Sequence, residues 1–135
     1  MAKSFPVTIY HNPKCSTSKQ VLEMIEDAGH KPQVVEYIKA GWTKSQLKQL
    51  FADAGLTPRE AMRKKAAEDL AISEKATAAK ILDAMIEHPV LVERPIVVTP
   101  KGTRLARPKE TVREILSVKQ DVTAVRRISA PQRSI

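Results

Sequence analysis

Apolar and polar positions alternate along this chain in two different periods. Val7 to Tyr10 is a short apolar run that reads as a strand, and Val21, Leu22, Ile25 and Ala28 then recur at helical spacing. Gly29-His30-Lys31-Pro32 signals a helix stop and a turn. Gln33 to Tyr37, partly β-branched and aromatic, predicts a second strand. Strand, helix, strand favours a parallel pair joined by a right-handed crossover. Thr43 can cap a helix in which Leu47, Leu50, Phe51 and Ala54 share a face, with Trp42 stapling its start and Gly55 stopping it. Thr57-Pro58 opens a short helical turn, with Arg59, Arg63, Lys64 and Lys65 on or near it. Ala78 to Glu87 predicts a further helix with Ile81, Leu82, Met85 and Ile86 inward, and His88 suits its negative end.

Arg94-Pro95-Ile96-Val97-Val98-Thr99 then reads as a buried strand opened by a proline, where a sheet tolerates one. Pro100-Lys101-Gly102 is a turn signal, and Thr103 to Ala106 returns as a paired strand. Pro108 fits the first position of a last helix with Val112, Ile115 and Leu116 apolar, and beyond Leu116 the pattern fades. This order predicts an α/β, thioredoxin-like layout, a mixed sheet with helices on its faces. Residues 1–116 form the expected domain, about 43–88 a helical insertion, and 117–135 a basic tail. In such a layout the loop after the first strand meets the turn before the third, so Cys15 and Pro95 face each other. A cis Arg94-Pro95 bond is expected there.

Composition narrows the function. The 135 residues suit one domain, and 42% hydrophobic content supports a core rather than disorder. The net charge of +8 fits a nucleic acid or a small anion as partner, but 4% aromatic content gives a base-stacking platform poor support. Part of the charge sits beyond Ser117, where a basic run is most simply a solvated segment. A single cysteine excludes an internal disulfide and argues for a reducing compartment, the cytoplasm. Neither a signal peptide nor a membrane span is evident, so no membrane partner is expected.

Chemistry concentrates at Tyr10-His11-Asn12-Pro13-Lys14-Cys15-Ser16-Thr17-Ser18-Lys19. The pattern puts Cys15 where a strand hands over to a helix rich in capping residues. Free backbone N–H groups and the positive end of the helix dipole meet there, so a thiol ionises more easily and an oxyanion finds donors. A lone cysteine can equally be a buried apolar residue, but His11, Lys14 and Lys19 make these surroundings polar and basic. Cys15 to Ser18 is C-x-x-S, so an oxidised Cys15 needs an external thiol to resolve it. The phosphatase arrangement C-x5-R is absent, since Val21 stands in the sixth place. His11 and Cys15 are too few for a metal, and no phosphate-binding glycine motif occurs.

The His11-Asn12-Pro13-Lys14-Cys15 loop, the Arg94-Pro95-Ile96-Val97-Val98-Thr99-Pro100 segment and Gly102-Thr103-Arg104-Leu105-Ala106-Arg107-Pro108 together resemble the ArsC family, in its glutathione- and glutaredoxin-coupled class. The resemblance runs from about Val7 to Leu116. It implies arsenate reduction in arsenical resistance, with Cys15 as nucleophile and His11 helping to keep the thiol ionised. It also implies that Arg59, Arg94 and Arg107 hold the arsenic oxyanion, with Ser18 and Lys19 beside it and Pro95 structural. Arginine's fork of donors suits a tetrahedral oxyanion. An antiparallel hairpin would bring Arg94 and Arg107 side by side. Each arginine alone can be an ordinary surface charge, and His11 an exposed loop residue. The cofactor is then a thiol system, glutathione with glutaredoxin, and no metal.

Two departures stand out. Ser16 replaces the glycine common after the cysteine, and Lys19 replaces the usual arginine, keeping charge but losing the bidentate fork. Two other functions stay open. One is an Spx-type regulator that binds RNA polymerase, against which Ser18 in place of a second cysteine argues. The other is a general monothiol disulfide reductase, which needs Cys15 but not the arginines.

Overall fold

In the computed structural model, which describes residues 5–116, strand β1 (Thr8–His11) leads through a short loop into helix α1 (Ser16–Asp27) and then strand β2 (Gln33–Glu36). Helices α2 (Tyr37–Ala40), α3 (Lys44–Ala54), α4 (Lys64–Asp69) and α5 (Ala78–Glu87) follow. Strands β3 (Ile96–Thr99) and β4 (Gly102–Leu105) and a 3-10 segment, Lys109–Ile115, complete the described chain. The expected basic tail, 117–135, lies outside the described residues.

The sheet runs β2-β1-β3-β4. β1 and β2 are parallel with Ile9 opposite Val34, as the strand-helix-strand order requires. β3 is antiparallel to β1, with Ile9 opposite Val97, and antiparallel to β4 through the Pro100-Lys101 turn. The architecture is mixed α/β and thioredoxin-like.

Side chains alternate across this sheet and so build two cores. Ile9 and Val97 point to one face, where α1 packs through Val21 and Ile25 and the 3-10 segment through Val112 and Ile115. Tyr10, Ile96, Val98 and Leu105 point to the other face, under the helices of residues 44–87. Leu47, Leu50 and Phe51 of α3 and Ile81, Leu82 and Met85 of α5 are buried there. Complete burial of one such side chain contributes about 1.5–3 kcal/mol.

The helix ends follow local chemistry. Thr43 Oγ1 accepts from Gln46 N–H at 3.1 Å while the Gln46 side chain accepts from Thr43 N–H at 3.3 Å, a capping box. Gly55 ends α3 at φ 71°, a left-handed conformation that glycine adopts without strain. α5 has the bounds its apolar spacing predicts. His88 caps it, 3.6 Å from Glu87.

Three segments differ from the expectation. β2 stops at Glu36, and Tyr37 opens the short helix α2 so that its ring stacks on Trp42 at 5.1 Å. Basic residues at 64–65 begin a helix of their own, α4, rather than lying on the turn at Thr57-Pro58. The last helix is 3-10, and Pro108 precedes it instead of filling its first position. Three residues per turn place Val112 and Ile115 on one line against the sheet. Thr99 Oγ1 donates to the Ile115 carbonyl at 2.6 Å and stops the segment there. The Arg94-Pro95 bond is cis, as expected, and so is Arg107-Pro108. Among the described residues no helix is long and apolar enough to cross a membrane.

Candidate active site

The loop between β1 and α1 is held by its own polar groups. Cys15 N–H donates to the Asn12 carbonyl at 3.0 Å, and Lys14 N–H to Asn12 Oδ1 at 3.0 Å. Asn12 N–H donates to Ser18 Oγ at 3.1 Å, and that oxygen lies 2.6 Å from His11 Nδ1. Cys15 is thereby fixed at the N-cap of α1 in extended conformation, and its carbonyl accepts the first helical bond from Lys19 N–H at 3.0 Å. No acidic residue stands in the first turn to offset the dipole.

Burial pushes the Cys15 thiol up. The Ser18 backbone N–H, the Arg94 guanidinium and the Thr17 backbone N–H overcome it and hold the thiol below its ordinary value. His11 is not among these groups. Its own basicity is lowered by burial, with Glu36 opposing and Lys19 adding to the shift. Ser18 Oγ accepts from Asn12 N–H and also hydrogen-bonds His11 Nδ1, so one hydroxyl joins the end of β1, the loop and the first turn of α1. Burial thus favours the neutral ring, and the bond to Ser18 makes His11 an anchor of the loop. Ser18 serves the site through its backbone N–H, because its hydroxyl is committed to His11 and Asn12. Lys19 is exposed, and its charge bears on His11.

Arg94 and Arg107 meet as the hairpin argument requires. Ala106 N–H donates to the Pro95 carbonyl at 2.9 Å, extending the β3–β4 ladder by one step. Arg107 Nη1 then donates to the Arg94 carbonyl at 3.2 Å. Glu93, a residue the sequence did not single out, ties both: Oε1 is 2.8 Å from Arg94 Nη1, and Oε2 is 3.8 Å from Arg107 Nε. Arg94 is nearly buried and lines the same hollow as Cys15, whereas Arg107 lines an adjacent hollow with Thr17 on the first turn of α1.

Arg59 is not brought to Cys15. Its Nη2 donates to the Ser73 and Ala76 carbonyls, both at 3.1 Å, and it lines a separate hollow beside α4. Arg63 lines the Cys15 hollow instead. The cause is an isolated antiparallel bridge between Met62 and Val92. Arg63 N–H donates to the Leu91 carbonyl at 2.8 Å and Glu93 N–H to the Ala61 carbonyl at 2.7 Å, drawing Arg63 toward the start of β3. One bridge leaves no repeating pattern, so only the basic cluster at 63–65 could have hinted at it.

Tyr37 also belongs here without having been foreseen. Among the described residues the buried side-chain polar atoms lacking a well-formed hydrogen bond are Tyr37 Oη and Arg94 Nε. Burial, with Arg94 opposing and Cys15 adding, pushes the Tyr37 phenol up to about 12, so it keeps its proton. The hollow thus combines an acidified thiol, two guanidinium groups and, in Arg94 Nε, a buried donor with no partner, the chemistry of an oxyanion site. Among the described residues, no three His, Cys, Asp or Glu side chains converge as metal ligands would.

The model of the ArsC family matches residues 10–115. An arsenate reductase of Synechocystis is 58% identical over 113 residues, covering 82% of this chain and 81% of that protein. An arsenate reductase of Escherichia coli is 47% identical, covering 82% and 80% respectively. Among solved structures, an arsenate reductase from Vibrio cholerae superposes with a TM-score of 0.79 at 40% identity, over 84% of this chain and 100% of that one.

Proposed function

The chain belongs to the ArsC family, and from that and the geometry at Cys15 we propose that it reduces arsenate to arsenite through this one thiol. It is an arsenate reductase, an oxidoreductase. The observation that carries the site assignment is the lowered Cys15 thiol at the N-terminus of α1, sharing its hollow with Arg63 and Arg94. A general disulfide reductase has no need of those guanidinium groups, and a polymerase-binding regulator has no need of the acidified thiol.

Arsenate enters as a multiply charged tetrahedral anion. Arg63 and Arg94 take its oxygens, with Arg94 held in place by Glu93. We assign Arg107 to the oxyanion as well, since its anchoring on Glu93 and the Arg94 carbonyl leaves donors unused. Arg59, spent on two carbonyls, is not assigned. The Cys15 thiolate attacks arsenic; a sulfur–arsenic bond forms, one arsenic–oxygen bond breaks, and that oxygen leaves as water after protonation. Charge on the remaining oxygens is met by donors already in position.

The chain has one cysteine, so both electrons come from outside. A glutathione thiolate attacks Cys15 Sγ. The sulfur–sulfur bond forms and the sulfur–arsenic bond breaks with its pair left on arsenic, giving As(III) and a mixed disulfide. A second thiol, delivered by glutaredoxin, reduces that disulfide and restores Cys15. Such chemistry needs a compartment that keeps thiols reduced, and on that ground we assign the enzyme to the cytoplasm. We read residues 1–116 as the catalytic domain, with 43–88 as its insertion.

Acid-quenched turnover followed by peptide mass spectrometry tests the thiol chemistry. The Cys15 peptide is expected to carry glutathione only when arsenate and reduced glutathione are supplied together. Equal labelling without arsenate would overturn the mechanism.

A further inference from the structure

The hollow at Cys15 is larger than its anion requires. Its volume is about 470 Å³, within the roughly 300–1,000 Å³ of sites that hold an organic molecule, whereas arsenate is one arsenic and four oxygens. Cys15, Arg63 and Arg94 account for the anion's end. The remaining wall has a different character. Ile38 and Val90 stand in it, 42% and 36% exposed, and apart from Val34 they are the exposed large apolar side chains of the described residues. Scattered exposed apolar residues need no explanation, but two that line the same concave site as Cys15 do. Lys14, Lys39 and Glu36 line the hollow with them. Lys39 Nζ and Glu36 Oε1 are 3.4 Å apart but 84% and 41% exposed, a pair weak enough to exchange partners.

We propose that this wall is the binding site of the reducing thiol, a small anionic peptide thiol of glutathione's size. The proposal rests on the arsenate reductase reading above. Cys15 is only 8% exposed and opens onto this hollow, so a sulfur that attacks Sγ approaches along this wall. A γ-glutamyl-cysteinyl-glycine carries two carboxylates and one ammonium. Lys14 and Lys39 offer the carboxylates their partners, Glu36 receives the ammonium, and Ile38 and Val90 cover the apolar stem between them. The anion is held at the inner end and the thiol fills the outer end, so the reacting sulfur meets Sγ while arsenic is still attached.

Steady-state kinetics on the double variant Ile38→Glu/Lys39→Glu test this, with KM measured separately for arsenate, glutathione and glutaredoxin. The expected result is a KM for glutathione raised about tenfold, the change that ~1.4 kcal/mol of lost contact produces, with KM for arsenate retained. Val34→Lys, an exposed change outside the hollow, is the control and leaves glutathione binding unaltered. A rise confined to glutaredoxin would assign the wall to a protein partner and overturn the proposal, as would unchanged constants. Absence of arsenate turnover in the wild type would instead sink the reading on which the proposal rests. A second measurement does not depend on turnover. S-methylglutathione added to the Cys15→Ser protein is expected to shift the methyl resonances of Ile38 and Val90, and silence there would also contradict the site.

Discussion

At the scale of single residues, what matters is which groups act on the sulfur and which act on the loop. The thiol of Cys15 is drawn down by the helix N–H groups and by Arg94 against the opposing effect of burial. Removing the cation removes part of that pull, so Arg94→Ala raises the thiol toward its ordinary value. Alkylation by iodoacetamide measured against pH is expected to show a midpoint below that of free cysteine in the wild type and a higher one in Arg94→Ala. Identical profiles would contradict the assignment. Ser18 has a different role, since its hydroxyl satisfies both His11 Nδ1 and Asn12 N–H in a buried position. Ser18→Ala leaves both without a partner and is expected to cost ~1–3 kcal/mol in urea unfolding. A cost near zero would mean the loop does not depend on that bridge. The place of Cys15 at the start of a helix was legible in the sequence from capping residues and the apolar period that follows. The burial of His11 and its bond to Ser18 were not, because they depend on residues 11 and 18 meeting, which happens only when the strand and helix pack together.

At the scale of elements, long periodic segments could be read and short ones could not. α3 and α5 each show several apolar residues on one face, and a capping residue marks their starts. α2 and α4 have four and six residues, too few to reveal a period. The same limit hid Arg63, since the Met62–Val92 bridge that positions it involves single residues. Arg59 and Arg63 lie one helical turn apart in sequence and end at different hollows. Arg63→Ala is therefore expected to raise the KM for arsenate by about tenfold or more, the loss of a charge-assisted contact of ~1.5–3 kcal/mol. Arg59→Ala leaves that constant nearly unchanged and instead loosens residues 73–76, where amide hydrogen exchange speeds up. The reverse pattern would restore the sequence-derived choice. Glu93 escaped notice because an acidic residue beside an arginine reads as a local pair. In the fold it also reaches Arg107, fourteen positions on, through the β3–β4 hairpin.

At the scale of the whole molecule, the sheet divides the labour. One face carries α1 and the 3-10 segment, the other the helices of residues 44–87. The site forms where these meet the end of β1 and the start of β3. Its thiol comes from the first crossover, one guanidinium from the helical region and one, Arg94, from the start of the terminal hairpin, whose far end carries Arg107 in the adjacent hollow. Order and hairpin were legible because each strand has apolar residues and turn signals at its ends. The way the helical region turns Arg63 inward was not, since it depends on packing between residues far apart in the chain. The account claims that all of this serves one thiol acting on arsenate. The most direct test is NADPH oxidation in a coupled assay with arsenate, glutathione, glutaredoxin and glutathione reductase, wild type beside Cys15→Ser. Oxidation that requires arsenate and vanishes in Cys15→Ser is the predicted result. A folded wild-type protein with a reactive Cys15 and no arsenate-dependent oxidation would contradict it.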